Sequence, residues 1–295
     1  MFFYVLPGTG IYGGVKKGFH CADLLSGSGH PCAVATPDGS RPDWFASACE
    51  VISHATLRTR CTEADHIFFS CPTDAPFVDS LPARAKTVHM QGANTPADRE
   101  LFAPARGYRF ISHGMHMTYE LQRHGRVAPA VPMGIPEVFR WRGESKQPGR
   151  VAVLPRKGSD VLAALRAQLP RACELIEIDG LSEVAAAERL KSADIFIAIS
   201  TSEAFGLPPL EAMCAGCCVV GFPGDGGFEF MRHLDTAYVV ANGDVNGLMA
   251  ALATVAASPP LREALRSRGL ALSGRYTLDQ EREALLRALG LVDAA

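Results

Sequence analysis

Short apolar runs alternate along the whole chain with stretches of helical period. Runs at 2–6, 32–35, 66–70, 87–90 and 108–112 predict strands, and after a break so do 151–154, 175–178, 194–199, 218–222 and 237–240. Several are apolar throughout, the pattern of strands covered on both faces. Between them apolar positions return at three- and four-residue steps, as at Val15, Phe19 and Ala22 or Val161, Leu162 and Leu165. Such steps put side chains on one face of a helix. Strand–helix alternation twice over predicts an α/β chain with two parallel sheets covered by helices, that is, two Rossmann-like domains facing across a cleft. The polar stretch 140–150 has no apolar period and contains Gly143, Pro148 and Gly149, so it predicts a linker. The expected division is an N-terminal Rossmann-like domain at 1–140, a C-terminal one at 150–275 and a closing helix at 276–295. Ligands of such sheets bind beyond the carboxyl ends of the strands.

Composition narrows the classes. Of 295 residues 47% are apolar and 20% charged, with 29 Lys and Arg against 31 Asp and Glu. This is too apolar for a disordered chain and not basic enough for a general nucleic-acid binder. No apolar run approaches the ~18 residues of a membrane span. The opening Met1-Phe2-Phe3-Tyr4-Val5-Leu6 lacks a basic start and ends at Pro7-Gly8, which reads as a strand rather than a leader. Nine cysteines, an odd number scattered over both halves, fit reduced thiols in a cytoplasmic protein. Cys214-x-x-Cys217-Cys218 sits in an apolar run without a second ligand pair, so it reads as core rather than as a metal or redox site. Charge gathers at 104–157, where eight Arg and two Lys face three Glu. That zone suits a polyanion such as a diphosphate, an anionic lipid surface, or plain solvation.

The most informative segment is 200–213, Ser-Thr-Ser-Glu-Ala-Phe-Gly-Leu-Pro-Pro-Leu-Glu-Ala-Met. It follows an apolar strand. Pro208 and Pro209 suit a first helical turn, and Gly206 allows a close backbone approach. The amides around Phe205, Gly206 and Leu207 then open a helix that attracts anions. Glu203 in the loop and Glu211 one turn into the helix flank that opening as candidate contacts for polyol and ribose hydroxyls.

This segment resembles the signature of the retaining, nucleotide-sugar-dependent glycosyltransferases of the GT-B fold, family 4 in particular. Their pattern is Glu, seven residues, Glu, here Glu203 to Glu211, with Ala204 where Gly is usual. The resemblance implies that Glu203 contacts the donor sugar, that Glu211 contacts the ribose, and that the amides at 205–207 serve sugar and diphosphate. Val151-Ala152-Val153-Leu154-Pro155-Arg156-Lys157-Gly158 is similar to the family's first donor-domain strand and loop. There a basic pair neutralises the leaving diphosphate, which makes Lys157 and Arg156 candidates. Adjacent Arg and Lys depart from the usual spacing, so Lys157 carries over more directly. Gly13-Gly14, in a turn that also holds Gly8 and Gly10, resembles the family's glycine loop, though the residues alone equally describe a turn. The stretches 110–112 and 131–139 resemble the end of the acceptor domain, with Met133 where the family has Asn. Gly224-Asp225-Gly226-Gly227-Phe228-Glu229 reads as a donor-side element or as a plain turn. The family's active-site histidine implies His89 as a catalytic candidate, with His113 and His116 also near the expected cleft. Each reads on its own as a packed imidazole.

No Asp-x-Asp pair offers a divalent-ion site, so transfer without metal or other cofactor is expected. The implied function is transfer of a sugar from a nucleoside-diphosphate sugar to an acceptor hydroxyl, with retention. The acceptor could be a glycan, a lipid-linked sugar or a small molecule. The alternatives are a nucleotide-sugar-binding protein without turnover and a sugar-nucleotide epimerase.

Overall fold

The computed structural model describes residues 1–92 and 95–292. The chain divides into two compact units, Met1–Met133 with the segment from Leu278 onward, and Gly134–Thr277. The first unit is built from β1 (Phe2–Val5), α1 (Gly13–Gly27), β2 (Cys32–Thr36), β3 (Glu50–Ser53), α2 (His54–Arg60), β4 (His66–Phe69), α3 (Ala75–Asp79), β5 (Ala85–Met90), α4 (Pro96–Glu100), β6 (Arg109–Ser112) and α5 (Met115–Arg123). The second holds β7 (Gln147–Val153), α6 (Ser159–Gln168), β8 (Glu174–Glu177), α7 (Glu183–Ser192), β9 (Ala193–Ala198), α8 (Leu207–Cys214), β10 (Cys218–Gly221), β11 (Tyr238–Val239), α9 (Val245–Ala257) and α10 (Pro259–Ser273). Helix α11 (Leu278–Ala288) returns to the first unit.

Both sheets are parallel. The strand orders are β3-β2-β1-β4-β5-β6 and β11-β10-β9-β7-β8. Each order reverses once, between β1 and β4 in the first sheet and between β7 and β9 in the second. Loops leaving the carboxyl ends of two such strands diverge to opposite faces and leave a crevice, which is where open α/β sheets bind ligands. The second core is assembled on one face of β7, β9 and β10, with Val151, Val153, Ile195, Ile197 and Val220 packed against Leu162, Leu165, Leu248 and Leu252. At the edge of this core Asp194 accepts from Arg262 Nε at 3.1 Å and also pairs with Arg266, tying α10 to the start of β9.

All ten predicted strands are present, together with β3, an edge strand in which Ile52 alone is buried. The stretch expected as a linker, 140–150, is part of the second unit. Arg140 donates to the carbonyls of Ser273 (3.2 Å) and Tyr276 (3.0 Å), and the Trp141 N–H donates to Cys214 O at 2.9 Å. Its polar residues are therefore satisfied within the unit, and Gln147 already begins β7. The expected separate closing segment, 276–295, is divided: α11 packs on the first unit through Leu285, and Lys17 and Glu281 pair at 2.5 Å with both side chains buried.

Candidate functional site

The reversal between β7 and β9 brings three loops of the second unit together. The turn after β7 is tight: Lys157 adopts φ 61°, and a Cβ on Gly158 would lie 3.0 Å from the Ile199 carbonyl oxygen. The turn therefore rests directly on the chain leaving β9, and Lys157 Nζ reaches Glu203 Oε1 at 3.2 Å. Lys157 is 57% exposed and Glu203 25%, so this pair sits in water's reach and is worth about 1 kcal/mol or less. An anionic ligand can exchange it.

Past Glu203, Gly206 stands at φ 97° as the N-cap of α8, a left-handed conformation open to glycine. A helix start leaves its first backbone donors unused. Pro208 and Pro209 have none, so Gly206 and Leu207 supply the amides at this opening. The Phe205 ring turns inward, meeting Phe230 at 5.6 Å and Tyr276 at 6.1 Å between centroids. It anchors the loop from below. Glu211 is half-buried one turn into α8. Arg156 Nε lies 3.2 Å from Asp179 beyond β8, while Lys157 meets Glu203. The third loop, after β10, packs on the main chain of Glu203: the amides of Asp225 and Gly226 both donate to its carbonyl at 2.9 Å.

The reversal in the first unit gathers a buried polar cluster. Helix α1 starts at Gly13, and a Cβ on Gly14 would fall 2.3 Å from Gln91 Oε1. A side chain at Gly14 would have to displace the Gln91 amide, a contact that exists apart from any ligand. Gln91 Nε2 donates to the Tyr4 hydroxyl (3.2 Å), which lies 3.1 Å from His89 Nδ1. His89 is 2% exposed. Burial, helped by His113 and Lys17, pushes its imidazole down to about 3, so it is neutral at ordinary pH. His113 Nδ1 donates to Met90 O at 2.6 Å, which fixes its proton on that nitrogen. His116 is half-buried on α5. Asp74, beyond β4, is buried with Oδ2 lacking a hydrogen-bond partner among the described residues, and desolvation pushes its carboxyl up to about 7. Met133 is a core side chain, so it brings no polar contact where the resemblance has Asn.

Cys214, Cys217 and Cys218 are buried free thiols, with burial pushing Cys214 up to about 11 and Cys218 to about 12. They fill core space and are not thiolates. Among the described residues no group of three or more His, Cys, Asp or Glu is arranged to hold a metal ion, and no helix is long and apolar enough to cross a membrane.

Residues 168–271 match the family model described as glycosyl transferases group 1. The match takes in Glu203, the Gly206 turn and Glu211. An α-1,6-glucosyltransferase of Actinobacillus pleuropneumoniae serotype 7 (strain AP76) is 30% identical over 124 residues, 39% of this chain. The matched segment spans 38% of that protein's own length. Among solved structures, HepE from Anabaena in complex with UDP-glucose superposes with a TM-score of 0.75 at 14% identity, covering 99% of both chains. A sucrose-phosphate synthase from Thermosynechococcus elongatus gives 0.75 at 14% identity, again over 99% of both. The fold is that of the GT-B glycosyltransferases.

Sequence reasoning did not single out Tyr4, Asp74, Gln91, Ser200 or Asn242. Ser200 follows β9 directly, and its buried hydroxyl has no hydrogen-bond partner among the described residues. A polar residue just past a strand at the reversal point was an available signal for Gln91 and Ser200, whereas Asp74 lies five residues beyond β4 in a short helical turn. Tyr4 lies inside a strand, and Asn242 lies in a loop far along the chain, so neither carried one.

Proposed function

We propose that this chain is a retaining glycosyltransferase that moves a sugar from a nucleoside-diphosphate donor to an acceptor hydroxyl without a metal ion. The second unit takes the donor and the first unit takes the acceptor. The observation that carries the reading is the meeting of Lys157 with Glu203 at the opening of α8, Glu203 and α8 lying within the segment that matches the glycosyl transferases group 1 model.

The ammonium and the carboxylate occupy each other until a ligand arrives. A diphosphate offers Lys157 a stronger anion, and Arg156 leaves Asp179 to join it. The Gly206 and Leu207 amides take phosphate or sugar oxygens. Glu203, released, accepts from the sugar hydroxyls, and Glu211 from the ribose. In the transfer the bond from the anomeric carbon to the diphosphate oxygen breaks and the acceptor oxygen bonds that carbon. The acceptor proton passes to the departing diphosphate. Charge grows on the phosphate oxygens as they leave, where preplaced cations and amides stabilise it most.

UDP is the first nucleotide to try, since HepE was solved with UDP-glucose. Calorimetry with UDP and UDP-glucose should show binding, and Lys157→Ala should weaken it roughly tenfold or more, the worth of one charge-assisted hydrogen bond. Release of UDP only when an acceptor sugar is added supports transfer. Binding without release under any acceptor marks a binding protein. Failure of UDP, GDP, ADP and TDP alike to bind overturns the proposal.

A further inference from the structure

The glycine-rich turn after β10 makes its closest contacts with protein. A Cβ on Gly224 would stand 2.9 Å from the Glu203 nitrogen, and one on Gly226 only 1.9 Å from the Ala204 oxygen. The turn thus lies main chain against main chain on Glu203 and Ala204, with the Asp225 and Gly226 amides donating to the Glu203 carbonyl. On its other side one side chain grips it: Gly224 N–H donates to Asn242 Oδ1 and Asn242 Nδ2 donates to Gly224 O, both at 3.1 Å. Asn242 is in turn held two residues past Val240, whose N–H donates to Gly221 O at 2.9 Å.

We propose that Asn242 is a positioning residue for Glu203: by clasping both backbone groups of Gly224 it holds the turn that fixes the Glu203 main chain. The functional consequence rests on the reading of Glu203 as a donor-sugar contact. Two reciprocal bonds to one peptide resist both sliding and rotation of the turn, which a single bond would not. Loss of the clasp frees the turn, the Glu203 carbonyl loses its two donors for part of the time, and the carboxylate no longer waits in one place. Preorganisation of this kind is what a contact needs to favour bound sugar.

The test has two arms. In the first, hydrogen exchange is followed in wild type and Asn242→Ala without ligand. The amides of Asp225 and Gly226 should exchange roughly three- to tenfold faster, the effect of losing one or two ordinary hydrogen bonds, while Phe196 in β9 speeds up no more than the accompanying small fall in Tm accounts for. Unchanged exchange at both amides overturns the proposal. In the second, UDP and UDP-glucose affinities are measured for Asn242→Ala, Glu203→Gln and the double variant. Asn242→Ala should weaken UDP-glucose binding roughly three- to tenfold and UDP binding less than about twofold, with no further loss in the Glu203→Gln background. Losses that multiply in the double variant show Asn242 acting independently of Glu203 and overturn it. If wild type binds neither ligand, the donor reading fails, and the exchange arm alone decides whether Asn242 holds the turn.

Discussion

Asp74 is a carboxyl buried with one oxygen unbonded among the described residues, and it keeps its proton up to about pH 7 in the folded chain. The unfolded chain releases that proton near pH 4 (about 3.9). Between those values the native state binds more protons, so the stability due to protonated Asp74 is full below about pH 4 and is lost as pH rises towards 7. Asparagine has the same shape and no charge to bury. Asp74→Asn should leave urea stability unchanged at pH 4 and raise it by on the order of 1–2 kcal/mol at pH 8, after allowance for nearby water. An equal shift at both pH values would contradict this account. His66 and His89 work in the opposite sense. Burial lowers them to about 4 and about 3, so the unfolded chain protonates first, and their stability is lost as pH falls below about 6.5.

Among the elements, α8 depends most on one residue. Gly206→Ala would force a side chain into φ 97°, with its Cβ 3.3 Å from Phe230 and 3.4 Å from Pro209. It should cost about 1–2 kcal/mol in a thermal melt and weaken UDP binding more than it weakens the fold, because the Leu207 amide moves with the turn. A stability loss with unchanged UDP affinity would show that the amides at 206–207 do not serve the nucleotide. Much of this element was legible in advance: the strand before it is apolar after Asp194, the prolines mark its first turn, and Glu203 and Glu211 carry the spacing of the resemblance. Strand β3 was not, because an edge strand with one buried side chain has no pattern to read. The partners of Arg140 and Trp141 were equally hidden, since a polar stretch bonded to distant carbonyls looks the same in one dimension as a solvated linker. The link from Tyr4 to His89, 85 positions apart, and the clasp of Asn242 on Gly224 exist through strand order alone.

At the scale of the molecule, the first unit is made from both ends of the chain. Lys17 and Glu281 are 0% and 2% exposed, so removal of the carboxylate takes from a buried ammonium the anion 2.5 Å from it. Glu281→Ala should destabilise by about 3–5 kcal/mol, whereas Lys17→Met with Glu281→Leu should restore much of the loss; chemical denaturation of both variants checks this. A double variant as unstable as the single one would mean that the pair itself, and not the stranded charge, matters. The arrangement also sets a timetable for synthesis. The two partners are 264 positions apart, and at ~5–20 residues per second a ribosome needs ~13–50 seconds to join them. Throughout that interval α1 has been made while the carboxylate that offsets its ammonium has not. All six strands of the N-terminal sheet are made well before α11, so that sheet waits for its covering helix, with Lys17 lacking the Glu281 carboxylate, until residue 281 has been added.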